Sequence, residues 1–289
     1  MLLKPPYSNL TNYHSHTSFC DGKADVEDFI VEAIRRGFYS YGVSTHAPLP
    51  YHTHWSMDME DTKSYIDRIL ELKKKYESDI EIYLGMEIDY LNESHNPGSE
   101  FFKSLPLDYR IGSVHLLEDK DGIIRDIDVK PDKFKLLVEE SFEGDIKGVV
   151  SKYFEKKKKM ILEGGFDFLG HCDKISLNAS QYDADILNQD WYKKMIEDYF
   201  IFIAEMKMMI EINTKGFAGF GLLFPNENNF KYIKDLSIPV VVNSDAHLPE
   251  NVNANRDVAF RLLLNNGVEE VMELHNGKWV KVPISDNWI

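Results

Sequence analysis

Asn12-Tyr13-His14-Ser15-His16-Thr17-Ser18-Phe19-Cys20-Asp21-Gly22 closes a short run of apolar and polar residues with two histidines one residue apart, then turns at Ser, Asp and Gly. Side chains on a strand repeat with period two, so His14 and His16 point the same way, which suits two imidazoles on one metal ion. A His-x-His pair alone is weak evidence, because surface or core histidines share a face by accident. Recurrence gives it weight. Tyr39–Thr45 reads as a strand that delivers His46, Tyr109–Val114 as one that delivers His115, and Phe166–Gly170 as one that delivers His171. Ile238–Val242 runs into Asn243-Ser244-Asp245-Ala246-His247. Ile80–Tyr90, rich in β-branched and aromatic residues, holds Glu87 inside an apolar run, where a carboxylate is expensive unless paired or metal-bound.

Between these strands lie helical patterns. Asp25–Arg36 places Val26, Phe29, Ile30, Ala33 and Ile34 at helical spacing, with Asp25 as N-cap and Gly37 as stop. Further helices are expected over Met59–Tyr76, Glu100–Ser104, Pro131–Glu140, Asp145–Leu162 with its Lys156–Lys159 run, Trp191–Lys207, Asn228–Leu236 and Val252–Asn266. Asp121-Gly122 signals a hairpin inserted after His115, and the stretch from Val271 reads as a short strand and hairpin. Seven strand-then-helix units, beginning near residues 11, 40, 80, 109, 166, 208 and 238, argue for a parallel α/β barrel in a single domain over 1–289. In such barrels the C-terminal ends of the strands carry the chemistry, and His14, His16, His46, Glu87, His115, His171, Asp245 and His247 all fall there.

Composition narrows the partners. With 33 basic against 48 acidic residues, a formal charge of −15 repels a phosphodiester backbone, which disfavours nucleic acid and favours a small substrate. No apolar run has membrane-spanning length, and Met-Leu-Leu-Lys-Pro-Pro-Tyr at the start is too short for a secretory signal, so a cytoplasmic protein is expected. Two cysteines, Cys20 and Cys172, make no disulfide framework; each reads as a small residue packed behind the site. His52-Thr53-His54 sits in a loop after Pro50 and reads as surface or a substrate lid rather than a fourth metal site, and Tyr51, Trp55 and Phe217 as packing near the mouth rather than recognition.

The motifs HSHTSFCDG (14–22), STHAPLPY (44–51), GMEIDY (85–90), IGSVH (111–115), GHCDK (170–174), EINTKG (211–216) and NSDAH (243–247) together resemble the polymerase and histidinol phosphatase (PHP) family, specifically its stand-alone histidinol-phosphatase branch, over nearly the whole chain. The resemblance implies a distorted seven-stranded β/α barrel that holds a trinuclear centre of divalent ions, Zn, Mn or Fe. One would be held by His14, His16, Glu87 and Asp245, a second by Glu87, His115 and His171, and a third by Asp21, His46 and His247. It implies a phosphomonoesterase, with L-histidinol phosphate as the leading substrate, in which a metal-bridging hydroxide attacks the phosphate; Asp245, Glu87 and His247 would serve catalysis.

One departure bears on the substrate. Where many histidinol phosphatases carry arginines, this chain has Ser176 and Ala218; nearby Lys174 and Lys215 are the candidates for supplying the phosphate's positive partners, without an arginine's bidentate geometry. Three other readings are a PHP phosphoesterase acting on nucleotides or oligonucleotides, a non-catalytic PHP binding module, which would have lost ligand positions, and a phosphotyrosine-peptide phosphatase.

Overall fold

The computed structural model describes residues 9–285, so the opening segment considered for a leader lies outside the described residues. The strands are β1 (Thr11–Asn12), β2 (Ser40–Val43), β3 (Glu81–Leu84), β4 (Glu87–Asp89), β5 (Ile111–Ser113), β6 (Leu116–Glu118), β7 (Ile124–Asp126), β8 (Phe168–Leu169), β9 (Met209–Asn213), β10 (Val240–Asn243), β11 (Glu270–His275) and β12 (Lys278–Pro283). Two sheets are wholly parallel, β1-β2-β3 and β10-β9-β8-β5-β4. Isolated parallel bridges, His46 to Glu87 and Ser15 to Ala246, link one sheet to the other. The ladders are therefore two arcs of an α/β fold and not one continuous seven-stranded ladder.

The break comes inside the strand expected over 80–90. It ends at Leu84 and resumes at Glu87, and Gly85 is the reason: a Cβ there would lie 2.2 Å from the Tyr109 ring, so the chain bends around that ring. Tyr109 in turn donates to the Tyr13 carbonyl (2.6 Å). Trp279 of the β11–β12 hairpin packs edge-on against Tyr13, Tyr109 and Phe168, closing the end of the sheets where the strands begin. The opposite end, where the strands finish, is left for the site.

Helices cover the outside. Val26–Arg35 is capped by Asp25, which pairs reciprocally with Asp28, and buries Val26, Phe29, Ile30 and Ala33 of its expected apolar face, while Ile34 at the edge of that face is half-buried. Ile146–Glu163 and Asp190–Glu205 pack together over β8 and β9 through Val150, Tyr153, Phe154, Tyr199 and Phe200. The hairpin β6–β7 forms after His115, as its Asp-Gly turn predicts. Two helices were not expected, Ile175–Tyr182 and the single turn Phe217–Phe220. Among the described residues no helix is long and apolar enough to cross a membrane.

Candidate metal centre

Each strand end delivers its side chain to one place. His14 and His16 follow β1 on either side of Ser15, whose backbone bridges Ala246, so the period-two argument holds and their rings lie 5.1 Å apart. His46 follows β2, Glu87 opens β4, His115 and His171 come just after β5 and β8, and Asp245 and His247 follow β10. Asp21 comes from the turn after His16. There Gly22 is required, since a Cβ would fall 2.2 Å from the His16 carbonyl oxygen.

Glu87 is the centre of the cluster. Its Oε1 lies 2.8 Å from His171 Nε2 and 3.7 Å from His115 Nε2. Its Oε2 lies 2.9 Å from His46 Nδ1, 3.3 Å from His14 Nε2 and 3.5 Å from His16 Nε2. Asp245 Oδ1 is 3.1 Å from His16 Nε2 and 3.5 Å from His247 Nδ1, and Asp21 Oδ1 is 3.3 Å from His247 Nε2. Four sets bring their donor atoms within 4.8 Å of one another: His16, Asp21, His46 and His247; His14, His171 and Asp245; His14, His16 and Glu87; and His46, Glu87 and His115. All nine expected residues meet. The grouping differs in detail from the one the resemblance implies, in that His16 also belongs with Asp21, His46 and His247, and His46 also reaches Glu87.

The donor atoms are left over, which tests the fit of a metal. His14 Nε2, His16 Nε2, His46 Nδ1 and Glu87 Oε2 are buried without a hydrogen-bond partner, and the Nε2 atoms of His115 and His171 face each other at 3.2 Å. Buried lone pairs converging in this way are costly unless a cation lies between them, and a mixed imidazole and carboxylate set suits a divalent transition metal. Protonation divides the ligands. Against burial, Glu211, Asp245 and Glu87 hold His14 well above the usual imidazole range, and Asp89 and Glu87 raise His115, so a bound cation must displace a proton from each. Others are ready for metal as they stand. Burial works against ionisation of Glu87, but His46, His14 and His115 outweigh it and hold the carboxyl well below its usual range. Asp245 is likewise held down against burial, by Lys215, His14 and His16. His171 is pushed down to about 3 by burial and by Lys174, and His16 is lowered by burial and by His46 and His247, which leaves both imidazoles neutral, the form that binds metal.

A supporting layer fixes which nitrogen points inward. His14 Nδ1 lies 2.7 Å from Glu211 Oε1, and His115 Nδ1 lies 3.0 Å from Asp89 Oδ2, so each ring turns its Nε2 to the centre. Glu211 also accepts from the His171 backbone (2.9 Å), Asn213 Nδ2 (3.0 Å) and Asn243 Nδ2 (2.9 Å), while Ser113 Oγ donates to Glu87 Oε1 (2.6 Å). The sequence reading did not single out Glu211 or Asp89. The signal was there: Glu211 sits in Met209-Ile210-Glu211-Ile212-Asn213, the same carboxylate-in-an-apolar-run pattern that marks Glu87. Four donors face the two Glu211 oxygens, so in Glu211→Gln one NH2 group must face a donor and His14 or His171 loses its support. The expected result is a roughly 10- to 100-fold weaker Zn affinity in a chelator competition, with the circular dichroism spectrum unchanged.

Beyond the donors lies a cavity of about 330 Å³, lined by Asp21, His46, His54, Trp55, His115 and Lys215, among others. Lys215 Nζ lies 3.3 Å from Asp245 Oδ1 and 3.1 Å from His247 Nε2, at the cavity wall. Lys174 is turned instead to Asp128 Oδ2, at 2.5 Å, and nearly buried. Trp55 stands edge-on to His46 and His115, at 4.9 and 5.7 Å. His54 lines the cavity, whereas His52 points outward to Asp58 and Phe217 is partly buried against the large core cluster. Cys172 is buried, and Cys20 is partly buried with Sγ 3.6 Å from His16 Nδ1.

The model of the PHP domain matches residues 12–215, which span the strand ends from His14 to Lys215. The chain belongs to the PHP domain family. Among curated PHP relatives, the histidinol-phosphatase of Bacillus subtilis is 26% identical over 251 residues, covering 81% of this chain and 92% of that protein. The probable histidinol-phosphatase of Schizosaccharomyces pombe is 25% identical over 281 residues, 91% of this chain and 89% of that one. Among solved structures, hisK from Listeria monocytogenes superposes with a TM-score of 0.78 at 25% identity, covering 86% of this chain and 99% of that one. The histidinol phosphate phosphatase of Lactococcus lactis, crystallised with Zn, L-histidinol and phosphate, gives 0.69 at 17% identity over 93% of this chain and 98% of its own, a likeness of fold.

Proposed function

We propose that this chain is a metal-dependent phosphomonoesterase that hydrolyses L-histidinol phosphate. The observation that carries the reading is the convergence of nine His, Asp and Glu side chains, four of whose buried donor atoms have no hydrogen-bond partner, beside an open cavity. The relatives that match along most of their length are histidinol-phosphatases, which favours this substrate over other monoesters. On this reading the two parallel sheets are the arcs of a distorted seven-stranded barrel, and residues 1–289 form one PHP domain.

Three divalent ions, Zn, Mn or Fe, would be held by His14, His16, Glu87 and Asp245, by Glu87, His115 and His171, and by Asp21, His46 and His247. When bound they supply Lewis acidity toward the phosphate oxygens and a nucleophilic water at neutral pH. The chain does the rest. Lys215, at the cavity wall, places a positive charge against the phosphate dianion, whereas Lys174, the other lysine expected there, is neutralised by Asp128. Asp245 Oδ1, ionised and 3.3 Å from Lys215 Nζ, would take the proton of the attacking water. Glu87 and His247 keep the donors around it in register, and Trp55 walls the cavity edge-on to His46 and His115.

The test is phosphate release from L-histidinol phosphate beside nucleotides, sugar phosphates and phosphotyrosine, using metal-reconstituted protein. The expected outcome is a kcat/KM for histidinol phosphate well above every other monoester. Hydrolysis of the other monoesters alone would keep the metal chemistry and discard the substrate. A fully loaded but inert protein would return the chain to the binding-module reading.

A further inference from the structure

Four consecutive lysines, Lys156 to Lys159, lie on the helix Ile146–Glu163, and one of them is unlike the rest. Lys157 is 0% exposed. Its Nζ donates to the Gly170 carbonyl at 2.9 Å, it lies 5.6 Å from the centre of the Tyr153 ring, and among the described residues no carboxylate is within ion-pair distance of it. Burying an ammonium without a paired anion is expensive, and an apolar side chain of the same length would fill the place at less cost. The site it faces explains the arrangement. Gly170 immediately precedes His171, and a Cβ on Gly170 would come 2.6 Å from Ser113 Oγ, the hydroxyl that donates to Glu87. His171 itself is held at a φ of 27°, outside the regions an L-residue prefers, and its ring reaches Glu87 from that backbone. Such a conformation persists only where its surroundings fix it from several sides. The His171 amide donates to Glu211, its carbonyl accepts from Tyr153 at 3.4 Å, and the remaining peptide oxygen of the turn, that of Gly170, is the one Lys157 holds.

We propose that Lys157 is a positioning residue for His171: its buried ammonium clamps the Gly170 carbonyl and holds the turn that aims the imidazole into the metal centre. This inference rests on the metal-centre reading above and adds to it a residue that touches no metal donor and no substrate.

The test compares wild type, Lys157→Met, which keeps the length and removes the donor, and Lys157→Arg, which keeps a donor. Each is loaded with Co2+ and read by its visible absorption, then by metal retained per chain against a graded chelator. The expected result is a folded Lys157→Met chain whose most weakly held ion is lost at roughly 10- to 100-fold lower chelator, with an altered Co2+ spectrum, and a return toward wild type in Lys157→Arg. A residue that merely joined helix to strand would lower the melting temperature and leave the Co2+ spectrum alone. Unchanged retention and spectrum in folded Lys157→Met would overturn the assignment. So would loss of fold in both variants, because Lys157 would then serve the whole structure rather than His171. A wild-type chain that takes up no divalent metal would overturn the metal reading itself, an outcome visible before any variant is made.

Discussion

Glu87→Gln is expected to lower kcat/KM by roughly 10³-fold or more and to reduce the metal bound per chain, while the far-ultraviolet circular dichroism stays that of the wild type. Five histidines approach the two Glu87 oxygens, three on Oε2 and two on Oε1. An amide fits the same space and can still accept from Ser113 on its oxygen. Its NH2 then faces His14, His16 and His46, where a negative oxygen had shared its lone pairs. Several kcal/mol of stabilisation are lost at each ion that shared the carboxylate, and each 1.4 kcal/mol is a factor of ten in rate. The metal-free chain should also lose some stability, because His46, His14 and His115 favour the ionised carboxylate by more than burial opposes it, and the amide gives up that attraction. Metal analysis beside steady-state kinetics checks this. A variant that kept its full complement of ions and its activity would remove Glu87 from the centre of the site.

Much of this site could be read from the chain because parallel strands deliver their C-terminal residues to one rim. Finding a histidine or carboxylate after the apolar runs near residues 11, 40, 80, 109, 166 and 238 therefore amounted to finding neighbours. The geometry inside the rim was less legible. Ile80–Tyr90 has strand composition interrupted only by Gly85, and although an interior glycine hints at a bend, nothing local shows that Tyr109, far along the chain, will fill the space beside it and that the ladder will divide into two arcs there. The helix Ile175–Tyr182 was missed because Ile-Ser-Leu-Asn-Ala-Ser-Gln-Tyr has little amphipathic period and several residues that favour turns. Lys157 was invisible for another reason. In a run of four lysines the sequence cannot say which one turns inward, and only the packing of Ile146–Glu163 on β8 decides it.

Asp245→Asn is expected to lower kcat by roughly 10²- to 10⁴-fold, the range a positioned proton acceptor contributes. The substitution is mild on the fold for a specific reason. Asp245 has a φ of 50°, in the left-handed region, which asparagine tolerates as readily as aspartate, whereas alanine would add backbone strain. Asn213 Nδ2 donates to Asp245 Oδ2 at 3.1 Å, so the new amide keeps its oxygen on Asn213 and turns its NH2 toward His16 and Lys215. That group carries no charge, and its nitrogen lone pair is delocalised into the carbonyl, so it can neither hold a metal nor take a proton at neutral pH. Excess metal separates these two losses. If Asp245 only ligates, saturating Zn or Mn should restore most of the turnover. If it also receives the proton of the attacking water, the fully loaded variant stays slow, and its rate should rise with added small-molecule bases of increasing pKa. Wild-type turnover in the loaded variant, with no response to added base, would leave Asp245 a ligand alone and place the proton acceptor elsewhere in the cluster.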